Sequence, residues 1–146
     1  MRLSFLFVLM AFYITSCQEN NSGRPGSAAM KIPKDSTLFT TITWLDSTTR
    51  DFGRIPEGRK LDVAFRFKNS GTKPLIIERV QPSCGCTVAE QPEAPIMPGG
   101  TGEIKASFNS EGRVGINHKK IYVYANTLGS QSNEVNFSVM VEKKKL

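Results

Sequence analysis

Three cysteines and one histidine are the residues of this 146-residue chain best equipped for chemistry. Two of the cysteines stand together as Cys84-Gly85-Cys86. In an extended strand, residues two apart face the same way, with Cα atoms roughly 6.6 Å apart. That is near the upper limit for a disulfide, and Gly85 frees the backbone to turn and shorten the gap. Closing so short a loop stabilises a fold by only about 1.6 kcal/mol in the chain-entropy picture, before strain is subtracted. A bridge here is therefore a local turn clip or a redox-active couple. Unbridged, the two thiols either pack as small apolar groups or, as thiolates, suit Cu(I), which favours soft ligands and low coordination. His118 lies in Gly115-Ile116-Asn117-His118-Lys119-Lys120 and reads as a surface residue just before a strand.

Other chemistry finds little support. The sequence has no G-x-S-x-G elbow and no glycine-rich phosphate loop. A single histidine without a partner marking it as a base argues against a catalytic triad. The 13 Asp and Glu residues show no paired pattern of the kind glycosidases need. Enzymatic activity is confined to thiol chemistry at Cys84 and Cys86, and no small-molecule substrate is indicated. The formal charge is +6, with basic residues scattered along the sequence and only Lys143-Lys144-Lys145 forming a dense run. The terminal run reads as a solvated end, and nucleic acid is not an expected partner.

The third cysteine belongs to a different feature. Arg2 is followed by an apolar stretch from Leu3 to Ile14, too short to span a bilayer and suited to the hydrophobic part of a signal peptide. The stretch closes with Ile14-Thr15-Ser16-Cys17, which resembles the lipobox of bacterial lipoproteins. That resemblance implies cleavage after residue 16 and lipid, palmitate included, on Cys17. Several acyl chains, at about 0.8 kcal/mol per buried methylene, hold a protein to a membrane where one chain does not. Gln18 after Cys17 differs from the Asp of the familiar inner-membrane retention rule, so the expected address is the cell envelope, with the outer membrane favoured over the inner. Residues 17–36 form a lipidated tether, rich in Asn, Ser, Gly and Pro without an apolar period. With Cys17 lipidated, a closed four-ligand zinc site is out of reach. No metal or other cofactor beyond the lipid is expected, and Cys84, Cys86 and His118 are the only remaining soft set.

From residue 37 to the end, the hydrophobic period is two. Leu61, Val63, Phe65 and Phe67 alternate with Asp62, Ala64 and Arg66, and turn residues Asn69-Ser70-Gly71-Thr72 follow. Leu75 to Val80 resumes after Pro74. Ile104, Ala106 and Phe108 come next, then Ile121, Val123 and Ala125, then Val135, Phe137, Val139 and Val141. Shorter strands are expected near 40–45 and 50–55. Seven or so strands with no amphipathic helix predict one all-β domain over 37–146, an immunoglobulin-like antiparallel β-sandwich. Trp44 reads as a core or rim residue. Tyr122 and Tyr124 share an outward face, either as a contact patch or beneath a neighbouring segment.

Asp51-Phe52-Gly53, Phe65-x-Phe67-x-Asn69-x-Gly71, Pro74-Leu75-x-Ile77, Ser83-Cys84-Gly85-Cys86-Thr87 and Ile96-x-Pro98-Gly99 occur in that order. Together they resemble a family of bacterial domains of unknown function, often lipoproteins, with an S-C-G-C-T signature. A more distant likeness is to Hydin-type and major-sperm-protein-like immunoglobulin folds. The resemblance covers about residues 43–142 and implies a fold without implying an activity. The function these features indicate is a membrane-anchored, non-catalytic interaction or structural module with a protein partner. The alternative is a thiol-based envelope protein, redox-active or Cu(I)-binding through Cys84-Gly85-Cys86.

Overall fold

Alternation of apolar and polar residues fixes which face of each strand is buried, and two such faces must meet to exclude water. The computed structural model describes residues 30–144. The expected signal peptide, Cys17 and the tether up to residue 29 lie outside the described residues. Residues 30–36 run without a strand into a single 3-10 turn at Ser36–Leu38, capped by the Asp35 carboxylate, which accepts from Thr37 N–H at 2.9 Å.

Eight strands follow: β1 (Ile42–Trp44), β2 (Thr49–Pro56), β3 (Lys60–Asn69), β4 (Ile77–Pro82), β5 (Thr87–Glu90), β6 (Thr101–Asn109), β7 (Gly115–Ala125) and β8 (Ser132–Glu142). They form two four-stranded sheets, β1-β3-β6-β5 and β2-β8-β7-β4. All-β sandwich architecture is thus what the alternation predicts. Val63, Phe65 and Phe67 of β3 meet Val135, Phe137, Val139 and Val141 of β8 in one apolar core, together with Ile104 and Phe108 of β6 and Ile121 and Val123 of β7. Phe108 and Phe137 touch edge to face across the sandwich, with ring centroids 6.1 Å apart.

Three features depart from the sequence expectation. β5 is an eighth strand, too short to show a period, pairing only with Phe108 to Lys105 of β6. β2 runs parallel to β8, so the sandwich is not wholly antiparallel. A parallel pair needs a long crossover, and here the rest of the domain supplies it. β7 begins at Gly115, so His118 lies within a strand and not before one. Its start escapes the period because the half-buried positions there are Asn117 and Lys119.

Buried polar side chains fix the loops. Asn69 is fully buried, and its amide donates to the carbonyls of Lys73 (2.7 Å) and Ile96 (2.8 Å). Its Oδ1 accepts from Thr40 Oγ1 and Gly71 N–H. A Cβ on Gly71 would lie 2.6 Å from Thr41 N and closer still to Thr40 Oγ1, so glycine is required there by contact. Asn126, also fully buried, donates to the carbonyls of Leu38 (2.8 Å) and Pro74 (3.0 Å) and accepts from Ile76 N–H (2.7 Å). It ties the start of the domain to the β3–β4 connection.

β1 ends where a side chain replaces a strand. Arg66 N–H, which would bond the next residue of β1, donates instead to Asp46 Oδ2 at 2.8 Å, and the Arg66 guanidinium grips the same carboxylate at 2.7 Å. Those hydrogen bonds hold the Asp46 carboxyl at about 2, below its ordinary value. A folded-state pKa below the unfolded one means stabilisation present above about pH 4 and lost as pH falls from about 4 towards 2. Urea midpoints of the native chain and Asp46→Asn are expected to differ at pH 5 and to converge towards pH 2.

Candidate functional site

β4 lies at the edge of one sheet and β5 at the edge of the other, so the chain crosses between sheets within Ser83–Cys86. Ser83 is held on β7: its N–H donates to Lys120 O at 2.9 Å, and Lys120 N–H donates to Ser83 Oγ at 3.2 Å. At the other end, the Cys86 carbonyl accepts Asn109 N–H of β6 at 2.9 Å. Between these anchors Cys84 and Cys86 are bonded, with S–S 2.01 Å and Cα atoms 5.3 Å apart. Thr87 N–H turns back to Cys84 O at 3.3 Å, and the buried Thr87 hydroxyl lies 3.6 and 3.9 Å from the two sulfurs. The segment is a turn between sheets, not part of a strand, which is why the Cα separation is shorter than along a strand.

Cys86 is 8% exposed and belongs to the core, whereas Cys84 packs half-buried at its margin. Gly85 corrects one expectation. Its φ is not in the left-handed region, and a Cβ there would meet nothing within 4 Å. The turn therefore does not depend on glycine, and Gly85→Ala is expected to change stability by less than about 0.5 kcal/mol. Replacing Cys84 and Cys86 together by Ala removes both the loop constraint and buried sulfur. That variant is expected to lose about 2 kcal/mol, roughly 10 °C in Tm, by calorimetry of the oxidised protein. Equal stability would mean that the bridge does not hold this corner.

His118 projects from the outer face of β7, opposite Ser138 of β8, beside Asp51, Arg54 and Ile116. Among the described residues, no three His, Cys, Asp or Glu side chains converge in a way that could hold a metal ion. Trp44 is half-buried and meets Phe67 edge to face, with centroids 5.7 Å apart. Tyr124 carries the Arg79 guanidinium 4.0 Å above its ring. Met30, Lys31 and Ile32 lie against the same place, with Ile32 N–H donating to Glu78 Oε2 at 3.3 Å. Of the two tyrosines, Tyr124 is thus partly covered by the chain's own leading segment.

A second site lies on the outer face of the β1-β3-β6-β5 sheet. Register aligns Asp62, Ser107 and Val88 in one row and Ala64, Lys105 and Glu90 in the next. The small side chains of Ala64 and Ser107 leave a groove of about 420 Å³, walled by Val88 and rimmed by Lys60 and Glu90. Val88 is 67% exposed. The Ser107 hydroxyl lies buried in the floor without a protein hydrogen-bond partner among the described residues, and buried polar groups are generally paired in folded proteins. Beside the groove, β1 covers only Phe67–Asn69 of the ten-residue β3. Arg50 Nη1 donates to Ala64 O at 2.8 Å, and beyond it the main chain around Asp62 faces a side with no strand among the described residues. Alternation alone marks Ser107 as outward. Only the three-strand register reveals that it shares a groove with Val88 and Ala64.

The model of a family described as "Protein of unknown function (DUF1573)" matches residues 42–141. Comparison with curated proteins gives no match. Among solved structures, a protein of unknown function from Porphyromonas gingivalis W83 is similar at TM-score 0.62 and 16% identity, over 73% of this chain and 49% of that one. The secreted serine protease VesC from Vibrio cholerae is similar at TM-score 0.54 and 12% identity, over 70% of this chain and 23% of that one. The ASH/PapD-like domain 7 of human CEP192 is similar at TM-score 0.55 and 12% identity, over 100% of this chain and 98% of that one. This chain therefore spans about half of the Porphyromonas protein and about a quarter of the protease. At such identities the likeness is one of fold.

Proposed function

The chain belongs to the DUF1573 family of proteins of unknown function, and from that premise we propose that it is a lipid-anchored module of the bacterial cell envelope that binds a protein partner without catalysis. The observation that carries this reading is the groove on the outer face of β3, β6 and β5, with its orphaned Ser107 hydroxyl and exposed Val88. A partner side chain seated there would supply the missing hydrogen bond and cover Val88, while the open edge of β3 beside it offers main-chain groups to an extended segment. The leader ending in Cys17 supports anchoring at the membrane, with the outer membrane favoured.

Two readouts test this in the organism's own cells. Metabolic labelling with an alkyne fatty acid is expected to mark the native chain and not Cys17→Ala. Chemical crosslinking is expected to trap a partner on the native chain, and Ser107→Tyr, which fills the groove from its outer face, is expected to reduce the adduct at least tenfold at equal protein level. An undiminished adduct with Ser107→Tyr would remove the groove from the account, and absence of label would remove the anchor.

A further inference from the structure

Basic residues scattered in the sequence are gathered by the fold. Arg59 and Lys60 follow the β2–β3 turn, Arg113 lies in the β6–β7 loop, Lys119 sits near the start of β7, and Lys143 and Lys144 follow β8. Hydrogen bonds bring these segments to one end of the sandwich. Ser110 Oγ donates to the carbonyls of Arg59 (2.7 Å) and Pro56 (3.2 Å), Gly112 N–H donates to Glu57 Oε1 (3.2 Å), and Glu57 N–H donates to Glu142 O (2.8 Å). Glu57 and Glu111 are the carboxylates among these loops, and Arg54 neutralises Glu142 at 2.8 Å. None of the six cations forms an ion pair among the described residues. Elsewhere between residues 30 and 144, basic and acidic residues are equal in number. This end therefore carries the excess positive charge of the described domain.

Two further observations indicate what it would meet. Val114, which follows Arg113 in the chain, and Ile116, which lies near Arg54 and Asp51, are 55% and 66% exposed. Lys119 stretches over the Phe108 ring at 5.5 Å, and burial followed by the Arg113 charge pushes its ammonium below the ordinary lysine range. Six cations here outnumber the two carboxylates of the same loops, next to exposed aliphatic side chains.

We propose that this end of the domain, the Arg59–Lys60, Arg113 and Lys143–Lys144 cluster with Val114 and Ile116, docks on an anionic lipid bilayer. Cations close to an anionic leaflet are each attracted by about a fivefold gain in binding, and short aliphatic side chains among them enter the headgroup boundary. Aromatic anchors of the kind that dominate protein interfaces are absent from the cluster. The proposal rests on the anchored-module reading only for its setting. The residues from Cys17 to Met30 can span roughly 45 Å when extended, longer than β7 at roughly 37 Å, so lipid and basic end can reach one leaflet.

The test uses the chain from Gln18 onward, which holds every element and the whole core described above and carries no lipid. Cosedimentation with vesicles of phosphatidylglycerol and phosphatidylethanolamine is expected to bind it, and phosphatidylcholine vesicles are not. Arg59→Ser/Arg113→Ser/Lys143→Ser should weaken binding about a hundredfold, whereas Lys31→Ser/Lys34→Ser/Lys73→Ser, with the same change in net charge, should leave it within twofold. Val114→Ser/Ile116→Ser should cost at least threefold. Thermal melts show that each variant is folded. Equal losses from both triple variants would reduce the effect to net charge and overturn the proposal. So would binding to soluble polyglutamate as tight as to vesicles and indifferent to Val114→Ser/Ile116→Ser, which would make the partner an acidic protein. Because the groove at Ser107 takes no part, failure here leaves the partner-binding reading standing.

Discussion

Asn126→Ala is expected to lower the unfolding free energy by about 3–5 kcal/mol, among the largest losses available from a single polar residue in this domain. Asn126 touches no charge and no ligand. Its importance lies in three main-chain groups, the carbonyls of Leu38 and Pro74 and the N–H of Ile76, each satisfied by one end of its amide. Truncation leaves all three unmet beside a fully buried side-chain position, and each orphaned group costs about 1–3 kcal/mol. Asn126→Asp tests the same geometry more sharply. The carboxylate keeps an acceptor for Ile76 N–H but presents oxygen to the two carbonyls, so it is expected to be at least as destabilising at pH 7. Urea unfolding followed by tryptophan fluorescence from Trp44 reads both. A loss below about 1 kcal/mol for Asn126→Ala would mean that water can replace the amide and that the segment before β1 is not held as described.

Phe67→Ala is expected to cost a similar 3–5 kcal/mol, because a fully buried ring leaves a cavity that two β-sheets cannot close. The site also allows a sharper prediction. A Cβ on Gly102 would lie 2.7 Å from Phe67 Cζ and 3.1 Å from Cε2, so Gly102→Ala overfills this part of the core by about 1–3 kcal/mol. Shortening the ring should relieve that clash. In a Phe67→Leu background, Gly102→Ala is expected to cost at least 1 kcal/mol less than in the native chain, an interaction readable in a double-mutant cycle. Additive effects would show that the ring moves aside freely and that Gly102 is not a packing glycine.

Much of the fold was legible because alternation is a direct record of burial. Val135, Phe137, Val139 and Val141 alternate in the sequence and are each at most 1% exposed. What escaped did so for physical reasons. β5 is four residues long, and its half-buried or buried positions, Thr87 and Ala89, carry little apolar signal. The first half of β7 shows no apolar period, and the strand is expected only after His118, because Asn117 and Lys119 occupy positions that would be apolar deeper in the sandwich. Asn69 looked like a turn former, and its sequence neighbours do not disclose that its amide closes contacts to Lys73 and Ile96. Asn126 gave no sequence signal at all, since its three partners are contributed by segments remote from it.

The candidate sites divide along the same line. Cys84-Gly85-Cys86 was visible as chemistry, yet its place at the crossing between sheets depends on Ser83 reaching β7 and Cys86 reaching β6. Gly85 was visible too, but for a conformational reason that its φ does not require. The groove floored by Ala64 and Ser107 and the basic end built from Arg59, Arg113 and Lys143 were not legible, because each is assembled from strands or loops far apart in the chain. The groove follows from strand register and the basic end from hydrogen bonds between loops, and sequence periodicity informs neither.

The most direct test of the partner-binding account is site-specific photo-crosslinking from position 88 in intact cells, in the native chain and in Cys84→Ala/Cys86→Ala. One partner adduct is expected from position 88, present in both chains and absent when the probe replaces Lys68 at the far end of β3. No adduct from position 88, or one that disappears with the two cysteines although the variant is folded, would contradict it and move the chain's function to the thiols.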